Sequence, residues 1–292
     1  MLELVSRGKV RETYVDPRNP AQLLVVASDR VSAFDVVLPE LVPDKGRVLT
    51  ATSALAFARL AGHVPTHLVE VAMDVPEPWL GRTLRVRRLA MLPVECVVRG
   101  RLVGSAWASY QESGTAFGRS LPSGLAFGDP LPEPLFTPTT KASEGHDLPL
   151  DDAGFAEVIG PRAYQVREAA LGVFAELARW FAEHDLVLVD AKFEFGLDGD
   201  ELVLADEVAT PDAARIVAGS LGAEPRWLDK QLLRDWLLAQ GYDGTGPVPA
   251  LPAWLIQELR ARYVEVYEHL AGQPFAAWPG SSTPYGGEGR SQ

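Results

Sequence analysis

The stretch LVLVDAKFEFGLDGDELVLADE, from Leu186 to Glu207, constrains the fold of this chain more than any other segment. It reads as two apolar strands joined by a turn near Asp198-Gly199, and such a hairpin needs a covered face. On a strand, residues two apart share a face. Asp190, Lys192 and Glu194 therefore line one side, while Val189, Ala191, Phe193 and Phe195 line the other. The apolar side suits packing against a preceding helix. The charged side is costly to bury unless its groups are paired, so it is either solvated or a site.

The turn determines which acids join Glu194. A two-residue turn at Asp198-Gly199 would point Asp206 away from it. A three-residue loop, Leu197-Asp198-Gly199 with the glycine left-handed, is a common hairpin geometry. It sets Asp190 opposite Asp206 and Lys192 opposite Leu204, so that three carboxylates and an amine converge. Close carboxylates repel unless a cation lies between them, and Mg²⁺ is held by one or two carboxylates plus substrate phosphates. A solvated face with weak cross-strand ion pairs is an equal alternative from this stretch alone.

Composition narrows the classes. With 47% hydrophobic residues among 292, the chain can build a substantial core. A net charge of −12 argues against a duplex nucleic-acid binder, which needs a basic footprint, but leaves room for an anionic small molecule in a locally basic site. The single cysteine, Cys96, has no internal disulfide partner, which fits a reducing compartment. No apolar run approaches the roughly 18 residues of a membrane span, and a soluble cytoplasmic protein is expected.

Along the chain, KVRETYV and QLLVVAS suggest a hairpin, and a helix is expected from Val48 to Leu60. THLVEVA, TLRVRRL and VECVVR read as further strands. Residues 113–150, rich in Gly, Pro, Ser and Thr, read as a long loop of the functional or disordered kind. Amphipathic patterns predict helices from Pro161 to His184, Leu228 to Ala239 and Ala253 to Ala271. Strands early and helices late predict an α+β fold. The expected division is a strand-rich lobe over 1–90, a larger mixed lobe over 91–277 and a mobile tail over 278–292.

Other segments offer chemistry. SRGKVRETY places Lys9 and Arg11 on one strand face beside Gly8, a residue that permits close backbone approach to a phosphate, although a solvated basic edge is the commoner outcome. SDRVSAFDVVLP holds Asp29, Arg30, Ser32 and Asp35 amid apolar residues, as a capped turn also would. VECVVRGRLVGSAW runs a strand into Gly104-Ser105 and a helix start, a natural anion site with Arg99 beside it; Ser105 as a plain N-cap is the alternative. DEVATPDAARI puts Asp212 and Arg215 three apart in an expected helical turn, where a local ion pair would be ordinary. His63 and His67 flank Pro65 and should not share a helix face, so zinc is not expected. Cys96 reads as a core thiol, and AGSLG around Ser220 narrowly misses a nucleophile elbow.

Taken in order, GKVRETY, SDRVSAFDVVLPE, VPDKGRVLT, LPVECVVRGRLVGS, PLFTPTTKASEGHD, VDAKFEFG, DEVATPD and LDKQLLRDWL resemble the SAICAR synthetase family over nearly the whole chain. The resemblance implies a kinase-like antiparallel ATP lobe and an ATP-grasp-like second lobe. It also implies ATP-dependent joining of L-aspartate to the carboxylate of carboxyaminoimidazole ribonucleotide (CAIR), through an acyl phosphate. Carried onto this chain, it implies Lys9 and Lys141 at ATP phosphates, Arg11 in the same loop, and the backbone near Met91 at adenine. Glu194 and Asp206 would hold Mg²⁺, with Lys192 between ATP and CAIR and Asp190 beside it as catalytic residues. Arg99, Ser105 and Arg215 would hold the ribonucleotide phosphate, with Asp212 nearby. Asp29, Arg30 and Asp35 would line the substrate side. Val103 and Ala213-Ala214 depart from the family pattern, which leaves phosphate binding more dependent on Arg215 and backbone N–H groups. The competing readings are a ligase or kinase-like enzyme for another carboxylate, a non-catalytic nucleotide binder and, remotely, a hydrolase at Ser220.

Overall fold

A computed structural model of the chain describes residues 2–141, 147–222 and 224–281. The centre of TTKASEGHD, residues 142–146, and the tail from 282 onward lie outside the described residues.

The N-terminal sheet is antiparallel, in the order Leu4–Arg7, Arg11–Val15, Gln22–Ala27, Thr83–Arg87, Leu68–Val71. The expected first hairpin pairs Arg11 with Ala27 and Val15 with Leu23. The second sheet is built on Leu186–Asp198, a strand of 13 residues. Its first half runs between Val94–Arg101 and Ala214–Ala218, and its second half pairs with Glu201–Ala205 and Ala90–Met91. A strand flanked on both edges has its backbone satisfied, so only its two faces remain to be explained.

The apolar face is covered by helix Ala163–Ala182, whose Val166, Ala170, Val173, Phe174, Leu177 and Phe181 are buried at helical spacing. They share one core with Leu188, Ala191, Phe193 and Phe195. Gly100 lets the layers approach, because a Cβ there would stand 2.7 Å from the Phe174 ring. A second core joins helix Lys45–Arg59 to helix Ala253–Ala271 through Val48, Leu49, Leu255, Leu259, Tyr263 and Tyr267. Both cores draw residues from each side of residue 90.

Three local expectations are corrected. The segment 113–150 is not one loop: Pro130–Phe136 pairs with Val94–Arg101 and carries three prolines, which lack the N–H and so suit an outer strand. Helix Asp152–Ile159 follows, with Asp151 accepting a hydrogen bond from the Gly154 N–H at 2.7 Å. After Pro211 the chain makes a turn and then the strand Ala214–Ala218, not a helix, so Asp212 and Arg215 form no local ion pair.

The hairpin register also differs. Its turn is Gly199-Asp200, with φ +59° at Gly199, and Asp198 faces Glu201 while Glu194 faces Ala205. Continued alternation would send Asp206 to the apolar face beside Phe193. The strand instead ends at Ala205, and Asp206 takes φ +61°. This left-handed residue redirects its carboxylate to the charged face, and aspartate is among the few side chains that tolerate the conformation.

Candidate active site

Same-face positions on the central strand lie roughly 6.5–7 Å apart, which spaces Asp190, Lys192 and Glu194 along one wall. The Lys192 ammonium donates to Glu194 Oε1 at 2.5 Å and Asp206 Oδ2 at 2.9 Å, and lies 3.5 Å from Glu95 Oε1. Lys141 pairs with the other oxygen of Glu194, and Arg11 spans Asp206 and Glu207. The result is an alternating chain: Lys141, Glu194, Lys192, Asp206, Arg11, Glu207. Thr210 closes it by donating to Glu207 Oε2 at 2.5 Å.

Electrostatics follow from the alternation. Burial disfavours the Lys192 charge, yet Asp206, Glu194 and Glu95 outweigh it and hold its pKa well above the usual lysine value. Burial likewise disfavours the Asp206 carboxylate, but Arg11 and Lys192 hold its pKa well below the ordinary range. Lys192 is therefore a fixed cation at neutral pH and not a base.

Beside this chain opens a cleft of about 340 Å³, whose lining includes Arg99, Ser105, Asp190, Lys192, Asp212, Arg215 and Arg234. Asp190 accepts from Arg215 Nε at 3.0 and 2.9 Å and from Arg99 Nη1 at 3.2 Å, so one carboxylate aligns two guanidinium groups. Burial opposes the Arg215 charge, but Asp190 overrides it and raises the pKa; for Arg99, burial prevails and lowers it. Arg99 also donates to Thr137 Oγ1 at 3.0 Å. Ser105 is exposed in the first turn of helix Gly104–Ser113 and does not cap it; Val103 holds the cap position and is buried with Val189 and Val217. Gly104, at φ +56°, keeps that turn close to Arg215, whose Nη1 would stand 3.0 Å from an added Cβ.

Asp212, another residue of the cleft lining, is itself buried. It accepts from Lys45 at 2.7 Å and Tyr263 at 2.8 Å and lies 3.2 Å from Lys230. The Lys45 side chain is wholly buried, and burial pulls its pKa down even against the Asp212 charge. Asp229 accepts from the backbone N–H groups of Ile216 and Gln231, both at 2.7 Å, and burial pushes its pKa up to about 7.

The remaining expected residues come from the first 91 positions of the chain. Lys9 donates to Asp35 at 2.5 Å on the surface. Asp29 accepts from the Gly46 N–H at 2.9 Å and from Arg82 at 3.0 Å, tying its segment to the start of helix Lys45–Arg59. Arg30 donates to Ser28 Oγ at 3.1 Å and to the Gly8 carbonyl at 3.3 Å. Met91 is exposed and faces Gly196 across the strand that meets the second sheet.

The fold thus brings Arg11, Lys141, Lys192, Glu194 and Asp206 into one network, and Arg99, Ser105, Asp190, Asp212 and Arg215 into the adjoining cleft. Sequence reasoning missed Lys45, Glu95, Glu207, Lys230, Arg234 and Tyr263. Lys45 and Lys230 each follow an aspartate beside an apolar run, a faint signal of a paired buried cation; Tyr263 has no local signal. Cys96 is a buried thiol whose pKa rises with that burial, and His67 is buried and lowered to about 4.

The family model for SAICAR synthetase matches residues 4–249. A curated phosphoribosylaminoimidazole-succinocarboxamide synthase from Salinispora arenicola is 43% identical over 278 residues, covering 93% of this chain and 99% of that protein. The solved structure of SAICAR synthase from Saccharomyces cerevisiae complexed with SAICAR is 36% identical, with a TM-score of 0.81 over 94% of this chain and 96% of that one. A SAICAR synthetase solved in complex with ADP is 28% identical, with a TM-score of 0.70 over 93% of this chain and 99% of that one.

Proposed function

The chain belongs to the SAICAR synthetase family, and from that premise we propose how its cleft carries out the family's reaction, ATP-dependent ligation of L-aspartate to CAIR in purine biosynthesis. The observation that carries the proposal is the place of Lys192: it bridges Glu194 and Asp206 and also lines the cleft that holds Arg99 and Arg215. A cation at that junction faces both a nucleotide phosphate and a substrate carboxylate.

A carboxylate repels nucleophiles and lacks a leaving group. One oxygen of the CAIR carboxylate attacks the γ-phosphorus, the bond to ADP breaks, and an acyl phosphate forms. The aspartate amine then attacks the carbonyl carbon, phosphate departs with the former carboxylate oxygen, and the proton lost from nitrogen leaves with the phosphate as hydrogen phosphate. The protein's part is positioning and charge neutralisation. Lys192 offsets the charge of the two approaching anions, Lys9, Arg11 and Lys141 bind the ATP phosphates, and the backbone near Met91 takes adenine. Arg99, Ser105 and Arg215 hold the ribonucleotide phosphate, with Asp190 setting both guanidinium planes. Asp212 anchors Lys45 and Lys230 behind them. Asp29, Arg30 and Asp35 line the substrate side.

Among the described residues no group of three or more His, Cys, Asp and Glu is arranged to hold a metal ion by itself. Glu194 and Asp206, which already share one cation, fit the commoner arrangement for Mg²⁺, two carboxylates completed by phosphate oxygens. When bound, Mg²⁺ supplies further neutralisation of the phosphates. The proposed compartment is the cytoplasm; no described helix is long and apolar enough to cross a membrane.

Coupled ADP release from purified protein with Mg-ATP tests the reading. Release should require both CAIR and L-aspartate, and release with neither would reject it. A CAIR analogue lacking the 5′-phosphate should turn over poorly. An equally good analogue would favour a ligase for another carboxylate.

A further inference from the structure

Phe117 has an unusual conformation and an unusual neighbour. Strands Thr115–Ala116 and Arg119–Ser120 pair as a hairpin, so the two residues between them form its turn. Phe117 has φ +50° and Gly118 φ +74°. Two-residue turns with both central residues left-handed favour Asn, Asp or Gly at the first position, and a bulky side chain there is a genuine outlier. Core burial does not account for the phenylalanine, because it remains 41% exposed. What the ring meets is the Arg99 guanidinium, whose Cζ lies 4.6 Å from the ring centroid. That is well inside the range over which an aromatic face attracts a cation. Backbone strain of this kind persists where the surroundings use it.

Arg99 is otherwise held at two points, by Thr137 Oγ1 through Nε and by Asp190 through Nη1. Its Nη2 donates to no protein acceptor among the described residues, and the residue lines the cleft. Two in-plane hydrogen bonds and one covered face leave the guanidinium little freedom, with donors still uncommitted. Pre-orienting a planar fork lowers the entropic cost of meeting a phosphate.

We propose that Phe117 is a positioning residue for the substrate's phosphate: its ring holds and shields the Arg99 guanidinium so that the free donors meet the anion. This rests on the assignment of Arg99 to the ribonucleotide phosphate. The strained turn is kept because the residue best suited to its backbone has no ring.

Asn at this position separates turn from ring, because it accepts the left-handed conformation and lacks an aromatic face. F117N should keep or raise the melting temperature while raising KM for CAIR about threefold to thirtyfold, the span of cation–π energies converted to a ratio. The kcat should stay within twofold and KM for ATP should not move. F117W or F117Y should restore the CAIR KM, which a merely structural turn would not require. R99Q is the companion variant. If R99Q raises KM for CAIR and F117N does not, the positioning role is overturned and the phosphate site stands. If R99Q leaves that KM unchanged, both fall. F117N added to R99Q should have no further effect, and an additive double variant would overturn the coupling.

Discussion

Replacing Lys192 with methionine separates the proposed catalytic role of the central cation from its structural value. The ammonium lies 2.5 Å from Glu194 Oε1 and 2.9 Å from Asp206 Oδ2. Removing one partner of a buried ion pair commonly costs about 3–5 kcal/mol, because the other charge is left unpaired. Here neither acid is stranded: Glu194 keeps Lys141, and Asp206 keeps Arg11. The methionine also fills most of the lysine's volume. The expected loss of stability is therefore below that range, about 1–3 kcal/mol, read by chemical denaturation. Activity should respond far more steeply. Losing one preorganised electrostatic contact to developing charge costs about 100- to 1,000-fold in kcat. Coupled ADP release at saturating substrates should show that drop in K192M while the denaturation curve still has a folded baseline. K192R keeps the charge but presents a wide fork in place of a point cation, so it should recover stability more than turnover. A K192M protein within tenfold of the parent kcat would refute the assigned role, and a drop explained by unfolding would refute the separation.

Asp212→Asn should cost about 3–5 kcal/mol, since it leaves wholly buried Lys45 and neighbouring Lys230 without a carboxylate. Lys45→Met should cost clearly less, because Asp212 retains Lys230 and Tyr263, and denaturant midpoints should rank the two. Arg215→Ala should raise KM for CAIR about tenfold to a hundredfold by removing charged hydrogen bonds, without a matching change in KM for ATP. His67, lowered to about 4 by burial, stays neutral in the fold while the unfolded chain takes up its proton near pH 6.5. Its contribution to stability is thus present above pH 6.5 and is lost as pH falls towards 4, amounting to about 3 kcal/mol. H67Q should lose that part of the acid sensitivity, and parallel pH curves for the two proteins would contradict it.

The alternation from Asp190 to Phe195 announced the two-faced strand, because period-two patterning is local and strong. Val189, expected beside Ala191, packs instead with Val103 and Val217, since the register shifts between Leu188 and Asp190. The route by which Asp206 reaches the site was not legible in the same way. Alternation alone, run through the observed turn, puts it on the wrong face; a single left-handed residue beyond the strand's end corrects that. Pro130–Phe136 was hidden for a related reason: three prolines mimic a loop, and only knowing that the strand is an outer one makes them acceptable. Asp212 illustrates the limit of neighbour-based reasoning. Arg215 was its obvious partner in sequence, whereas Lys45 and Tyr263 reach it from 167 and 51 residues away. Phe117 carried no chemical signal until Arg99 was seen beneath its ring.

The proposed order of events is phosphorylation of the carboxylate within one cleft, followed by attack of the amine. CAIR labelled with ¹⁸O in both carboxylate oxygens, turned over with Mg-ATP and L-aspartate, tests it directly by mass analysis of the inorganic phosphate. The expected result is one ¹⁸O in each phosphate released and one retained in the new amide. Phosphate free of label, formed in step with the amide, would contradict it.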